Sequence, residues 1–484
     1  MLFNSFIFFI FLGIVLPIFY LLPSKRTKNL FLVASSYIFY GFWDWRFCGL
    51  LLLSSIIDFL VGQAMYRAGR SPDEVADPYS KTTKKRLLLI SLFANLGILA
   101  YFKYANFFVD SFASMMSLFG MELDWLHLNI ILPVGISFYT FQTLSYTIDI
   151  YRGHLKPTRH FIDFMLFVSF FPQLVAGPIE RAKALLPQLS AKLSPTKLQI
   201  QQGVVLVITG LFRKVMIGDT AGRYVDNIFG NMAYFTSFEL IVGLLLFSVQ
   251  IYADFSGYSH MARGIAKLLG VELMKNFEQP YLSRNITEFW RRWHISLSSW
   301  LRDYLYISLG GNRISPRRTY INNFLTMVLG GLWHGASWNF VIWGALHGIY
   351  LAIHKYNLKG RRVQAVQIQR WTPRVILDIV VLNILVIFTW LFFRSNSWDA
   401  TVLFFQGVSQ GTIGEYALPL AGVAIAYYAL TLLMDMLEYR TGKHTYLLNL
   451  KIPGLRYGIL CTLFVVSCIY MFQSDPLPFI YFQF

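Results

Sequence analysis

Charge is what this chain has least of. Asp, Glu, Lys and Arg make up 14% of its 484 residues, where a soluble protein carries about 25%. Apolar residues reach 56%. So few charges cannot clothe a water-facing surface, which excludes a string of soluble domains. The same apolar richness excludes disorder. Cysteine is scarce as well. Cys48, Cys461 and Cys468 form no CxxC pair, and the last two, in one apolar stretch, read as small buried hydrophobes. A GxxxxGK[ST] loop is missing, so ATP-driven transport is not encoded. There is no GxSxG elbow, no HExxH zinc site and no DxD-like acidic pair. Serine-hydrolase, zinc-peptidase and metal-dependent glycosyltransferase chemistry all lose ground.

What remains is one polytopic, all-α membrane unit over residues 1–484. Aromatics are abundant, with 44 Phe, 28 Tyr and 12 Trp, and the net charge is +17. That charge would point to nucleic acid in a soluble protein. Here cytoplasmic loops and anionic headgroups account for it, and no nucleic-acid partner is expected. The first apolar run, Leu2–Pro23, is uncharged and about long enough to cross a ~30 Å hydrocarbon core. Lys25, Arg26 and Lys28 follow it, which places the N-terminus outside. Leu30–Phe42 and Phe47–Met65 come next, with a break at Asp44–Arg46. Tyr66–Arg86 is basic and Val109–His127, with Asp110, Glu122 and Asp124, is acidic, as suits the inner and outer sides. Further runs, several short or broken by Gly and Pro, raise the expected total to 10–13 transmembrane or re-entrant helices. No internal repeat is visible, which disfavours a repeat-built transporter.

Three constellations could carry chemistry. In NITEFWRRWHISLSSWLRDYLYISLGGNR, Asn285–Arg313, a single helix would place Trp290, Trp293, Leu297, Leu301 and Tyr304 on one face. His294 falls inside that face, Arg291 and Arg302 flank it, and Arg292 lies opposite. An interfacial helix with a satisfied buried histidine is the plainer reading. An anionic ligand such as a nucleotide pyrophosphate would also suit the arginines. In GGLWHGASWNFVIWGALHG, Gly330–Gly348, His334 sits in an uncharged apolar run. An ionisable group there is expensive and functional by default. Imidazole stays neutral at low cost yet accepts a proton near neutral pH. An interhelical hydrogen bond would explain it too. For His347 and His354 that structural reading is favoured. Third, LPVGISFYTFQTLSYTIDIYR and FFPQLVAGPIER carry Gln142, Asp149, Gln173 and Glu180, with Asp149 near Arg152. Asp254, in QIYADFSGYSHMARG, needs a partner such as Arg263 or His260. Structural pairing is expected for all of these.

Taken together and in this order, the motifs of roughly Ile130–Gly348 resemble the membrane-bound O-acyltransferase (MBOAT) family, and most of all its alginate O-acetylation (AlgI-type) branch. The resemblance implies a helical fold around a funnel or tunnel. It matches His334 in LWHG to the family's near-invariant histidine, and His294 in RRWHISLS to its second characteristic polar position. Both then become catalytic candidates. Arg291, Arg292 and Arg302 would bind donor phosphates. His294, Trp338 or Asn339 would orient the acyl carbonyl or stabilise an oxyanion. The implied donor is acetyl-CoA or an acyl-carrier thioester on the cytoplasmic side, with no tightly bound cofactor and no metal. The implied acceptor is an extracytoplasmic polysaccharide, reached through a periplasmic SGNH-hydrolase-like partner, across a bacterial inner membrane. A transporter or a structural subunit of an export complex is the alternative.

Overall fold

The computed structural model describes residues 1–68, 78–121, 128, 130–175, 177–358, 368 and 370–482. Glu122 and Asp124, on which the outer-side expectation partly rests, and Ala176 within FFPQLVAGPIER lie outside them. Among the described residues every regular element is helical. The chain divides into two compact units: Met1, Phe6–Ile200 and Ile265–Met274 form the first, and Leu2–Ser5, Gln201–Gly264 and Lys275–Phe484 the second.

The first unit opens with α1 (Phe6–Leu21), then α2 (Lys25–Asp44) and α3 (Cys48–Arg67). The long Leu2–Pro23 helix of the sequence reading is therefore shortened. Its 16 residues extend about 24 Å, less than the ~30 Å core. The cause is tertiary. The Phe3 amide donates to the Tyr258 hydroxyl at 3.2 Å, and the Asn4 amide to Asp219 at 3.0 Å. Those bonds hold residues 2–5 in the second unit. The break between α2 and α3 falls as anticipated. Asp44 accepts from the Arg46 backbone and closes a 3₁₀ turn, Trp45–Phe47. There follow α4 (Pro78–Leu99), α5 (Ala105–Ser117), α6 (Ile136–Tyr151), α7 (Phe161–Ser169), α8 (Phe171–Leu174) and α9 (Ala182–Ser190). Polar side chains here are tied to one another, as buried polar groups must be. Asp58 of α3 accepts from Ser91 and Asn95 of α4. Gln142 and Gln173 both donate to the Phe167 carbonyl, and Glu180 accepts from the Met274 amide at 2.6 Å. These are structural roles, as expected.

The second unit is built from α10 (Lys197–Phe212, which begins in the first), α11 (Thr220–Gly230), α12 (Ser237–Leu268), α13 (Ile286–Arg292), α14 (Ile295–Trp300), α15 (Pro316–His334), α16 (Trp338–Leu358), α17 (Pro373–Arg394), α18 (Trp398–Ser409), α19 (Ala417–Thr441) and α20 (Pro453–Gln473). Six helical stretches among the described residues are long and apolar enough to cross a membrane: Lys25–Arg67, Lys81–Ser117, Ser237–Leu268, Pro373–Arg394, Ala417–Thr441 and Pro453–Gln473. Cys461, on the last of these, is exposed rather than buried. A spanning helix offers its apolar outer face to hydrocarbon, so apolarity there does not imply cover by protein.

Helices α15 and α16 pack closely against each other. Glycine makes it possible. A Cβ on Gly331 would lie 2.1 Å from the Phe340 carbonyl oxygen, and one on Gly344 2.4 Å from that of Met327. The small residues around His334 thus let a second helix in. Asn339, at the start of α16, fixes the far side: its amide nitrogen donates to the Ser395 and Ser397 carbonyls at 2.9 and 3.0 Å.

Candidate active site

The sequence pattern predicts one helix through Asn285–Arg313. The chain instead breaks there. Helix α13 stops at Arg292, Trp293 is extended, and His294 takes a left-handed conformation with φ 42° before α14 begins. A left-handed non-glycine residue costs about 1–3 kcal/mol and persists only where its surroundings hold it. The holding groups come from the Lys275–Gln279 stretch. The Glu278 amide donates to the Arg292 carbonyl at 3.0 Å, and the Ile295 amide to the Asn276 carbonyl at 2.9 Å. The Ser296 hydroxyl donates to Asn276 Oδ1 at 2.6 Å. The break turns the His294 side chain into the interior.

His294 and His334 meet there, both buried, with ring centroids 6.3 Å apart. Trp333, Trp343 and Phe393 surround the His334 ring at 5.1, 5.1 and 5.3 Å. Phe255 packs on His294 at 4.7 Å. Burial pushes the His294 imidazole down to about 3, so it is neutral at physiological pH. Its tautomer follows from its neighbour. Ser296 gives its hydroxyl proton to Asn276, so it can only accept from His294 Nδ1, 3.4 Å away. Nε2 is then a bare acceptor, with no hydrogen-bond partner among the described residues. Such a nitrogen takes a proton or a hydroxyl hydrogen bond. It cannot donate to an oxyanion.

A third ring completes the site, and the sequence reading missed it. Tyr481, in the tail beyond α20, stands 5.3 Å from His334 and 6.2 Å from His294, centroid to centroid. Burial pushes its hydroxyl up, so it remains a protonated phenol, with no partner for its oxygen among the described residues. The tail is anchored by charge. The Ile480 amide donates to Asp254 Oδ2 at 2.8 Å. The other oxygen of Asp254 lies 2.7 Å from Lys214 Nζ, which also binds Asp219 at 2.6 Å. The partner of Asp254 is therefore Lys214, not Arg263 or His260. The one hint in the sequence was an aromatic, uncharged ending, PLPFIYFQF, after the last span.

The other expected residues are placed differently. Arg292 is buried, bonded to Glu288 at 2.8 Å and to the Glu278 carbonyl at 3.2 Å. Arg302 is exposed and pairs with Asp303 at 2.7 Å, and Arg291 is exposed. Trp338 is 59% exposed, and the amide nitrogen of Asn339 is engaged by loop carbonyls. His347 Nε2 bonds Thr389 at 2.9 Å, and His354 Nδ1 bonds Thr287 at 2.8 Å, the structural roles expected of both. A separate group of ligand-type side chains, His260, Glu438 and His444, is buried with its ligand atoms within 4.8 Å of one another. Arg263 donates to His444 Nδ1 at 2.8 Å, and Arg213 and Gln279 occupy Glu438. Guanidinium groups on two of its three members make this a hydrogen-bonded network ill-suited to a cation.

The family model of the membrane-bound O-acyltransferase family (MBOAT) matches residues 37–395, a span that contains both histidines. A probable alginate O-acetylase AlgI of Azotobacter vinelandii is 42% identical over 82% of this chain and 76% of its own length. One of Pseudomonas putida is 37% identical over the full length of both chains. A peptidoglycan O-acetyltransferase of Helicobacter pylori is 31% identical over all of this chain and 98% of its own.

Proposed function

The chain belongs to the membrane-bound O-acyltransferase family and is a multi-pass membrane O-acyltransferase; we propose that it moves acetyl groups from a cytoplasmic thioester to an extracytoplasmic polysaccharide of the alginate or peptidoglycan kind. The observation that carries this reading is the buried pair His294 and His334. Two buried imidazoles enclosed by aromatic rings suit proton handling away from water.

In the proposed step a hydroxyl oxygen attacks the thioester carbonyl carbon. His334 accepts the hydroxyl proton as the new C–O bond forms. The C–S bond then breaks, and the departing thiolate takes that proton back from the imidazolium. General-base help of this kind is worth about 10²–10⁴-fold. His294, whose bare Nε2 can only accept, takes a hydrogen bond from a second hydroxyl of the acceptor and so orients it. Of the three arginines, Arg291 and Arg302 are the ones whose exposure suits the phosphates of acetyl-CoA or of a carrier-protein arm. The Helicobacter and Azotobacter relatives, named for peptidoglycan and alginate acetylation, support the acceptor class. Loop charge supports a bacterial inner membrane with the N-terminus on the periplasmic side. A periplasmic SGNH-hydrolase-like enzyme would receive the acetyl group and complete the transfer.

The test uses the full chain in sealed proteoliposomes, with labelled acetyl-CoA or labelled acetyl-carrier protein on one side and the candidate partner on the other. Label on the partner with stoichiometric release of thiol supports the reading and identifies the donor. Movement of labelled solute without thioester cleavage would make the chain a transporter. Partner acetylation that proceeds without this chain's turnover would make it a structural subunit.

A further inference from the structure

Within the second unit, α12, α17 and α19 enclose a cleft of about 960 Å³. Its walls are Val242 and Leu245 of α12, Ile379 and Ile384 of α17, and Ala424 and Ile425 of α19. Ile384 is 63% exposed and Ile425 68%, so the cleft opens sideways, away from the protein. Neither His294 nor His334 lines it. All three helices are long and apolar enough to cross a membrane, so the cleft opens into hydrocarbon. Water there would find almost no polar partner, and an empty cleft would forfeit the contacts of its lining atoms. Along α19 the lining runs from Ala421 to Arg440, about 28 Å at 1.5 Å per residue.

The two ends differ in charge. A small cluster of Leu282, Ile368 and Tyr439, with Val375, Ile379 and Met436 against it, joins the start of α17 to the end of α19. That end carries Arg440 and Trp371 on the cleft itself, with exposed Arg370 beside them and Arg374 paired to Asp378 at 3.1 Å. Asp435, also on the lining, is already bound by Arg213 at 3.0 Å and by the Tyr252 hydroxyl, so it presents no unmatched negative charge. At the opposite end Phe238, Ile387 and Ala421 carry none. An apolar cleft ending in arginine and tryptophan at a membrane surface is the arrangement that holds an anionic headgroup.

We propose that this cleft binds one anionic glycerophospholipid, its acyl chains lying between α12, α17 and α19 and its phosphate at Arg440. Native mass spectrometry of the full chain in detergent, titrated with phosphatidylglycerol or phosphatidylcholine, tests it. Wild type is expected to retain phosphatidylglycerol at least tenfold better. Ala424→Trp fills the cleft and is expected to lose both adducts. Arg440→Gln is expected to keep lipid binding and lose most of the preference for phosphatidylglycerol. Inorganic phosphate at the same concentration is expected to leave the adducts unchanged. Retention of folding is read from the melting curve, and any variant that melts early is replaced by Ala421→Leu for the cleft or Arg440→Met for the charge, the latter again losing the preference. Equal adducts in wild type and in the folded cleft-filling variant would overturn the proposal. So would a lipid-free dimer that the cleft-filling variant dissociates.

Discussion

His294 and His334 face each other at 6.3 Å between ring centroids, although 40 positions of sequence separate their numbers and each hangs on a different structural device. His334 ends a helix pressed onto its neighbour by glycine. His294 sits on a backbone break held by hydrogen bonds. Each device can be disturbed on its own, and the consequences differ.

At position 294 the backbone and the ring can be separated. Asn tolerates the left-handed conformation better than Ala does. His294→Asn is therefore expected to melt closer to wild type than His294→Ala, while both lose most acyl transfer. Thermal melts beside turnover assays check this. Equal melting of the two variants would remove the strain from the account.

The same residue sets a pH dependence of stability. Burial holds His294 at about 3, below its ordinary 6.5. Between those values the unfolded chain binds the proton and the folded one does not. Stability from this group is therefore complete above about pH 6.5 and declines as pH falls toward 3. His294→Asn is expected to show a shallower loss of melting temperature on acidification than wild type over that window. Parallel curves would contradict the buried, neutral assignment.

Glycine contacts make a sharper prediction. A Cβ on Gly331 meets a carbonyl oxygen at 2.1 Å, whereas one on Gly330 meets only the end of the Leu301 side chain at 3.1 Å. Gly330→Ala is expected to stay near wild type, helped by better helix propensity. Gly331→Ala is expected to lose at least about 1–3 kcal/mol by overpacking, and to lose activity because His334 lies three residues on. Denaturation of the two variants side by side distinguishes them.

Lys214 touches neither histidine, yet it anchors the tail that brings Tyr481 to them. Removing it leaves Asp219 and Asp254 buried without their cation, a loss of about 3–5 kcal/mol. Lys214→Met is expected to expose Asp475–Phe482 to protease and to lower turnover, and Asp254→Asn in that background to recover part of the stability. A tail that stays protected in Lys214→Met would show that the aromatic packing alone holds it.

How much of this could be read from the residues depends on how local each cause is. His334 was legible because an ionisable group in an uncharged apolar run is costly wherever it occurs. The turn at Asp44–Arg46 was legible because its cap lies within two residues. The break at Trp293–His294 was not. Helical periodicity continues through Tyr304, and the bonds that interrupt it come from Asn276 and Glu278, well outside any helical window. Lys214 and Asp254 are 40 positions apart, a separation that no local pattern links. Tyr481 lay in a short tail without periodicity. Its part depends on where that tail folds back, which only tertiary structure shows.

The central claim is that His334 performs proton transfer in acyl transfer. The most direct measurement compares thioester cleavage by purified wild type, His334→Ala and His334→Gln in the presence of donor and acceptor. Glutamine keeps hydrogen bonding but cannot accept the proton at neutral pH. Both variants are expected to fall about 10²–10⁴-fold with melting curves that still show one folded species. Wild-type turnover in folded His334→Gln would contradict the account.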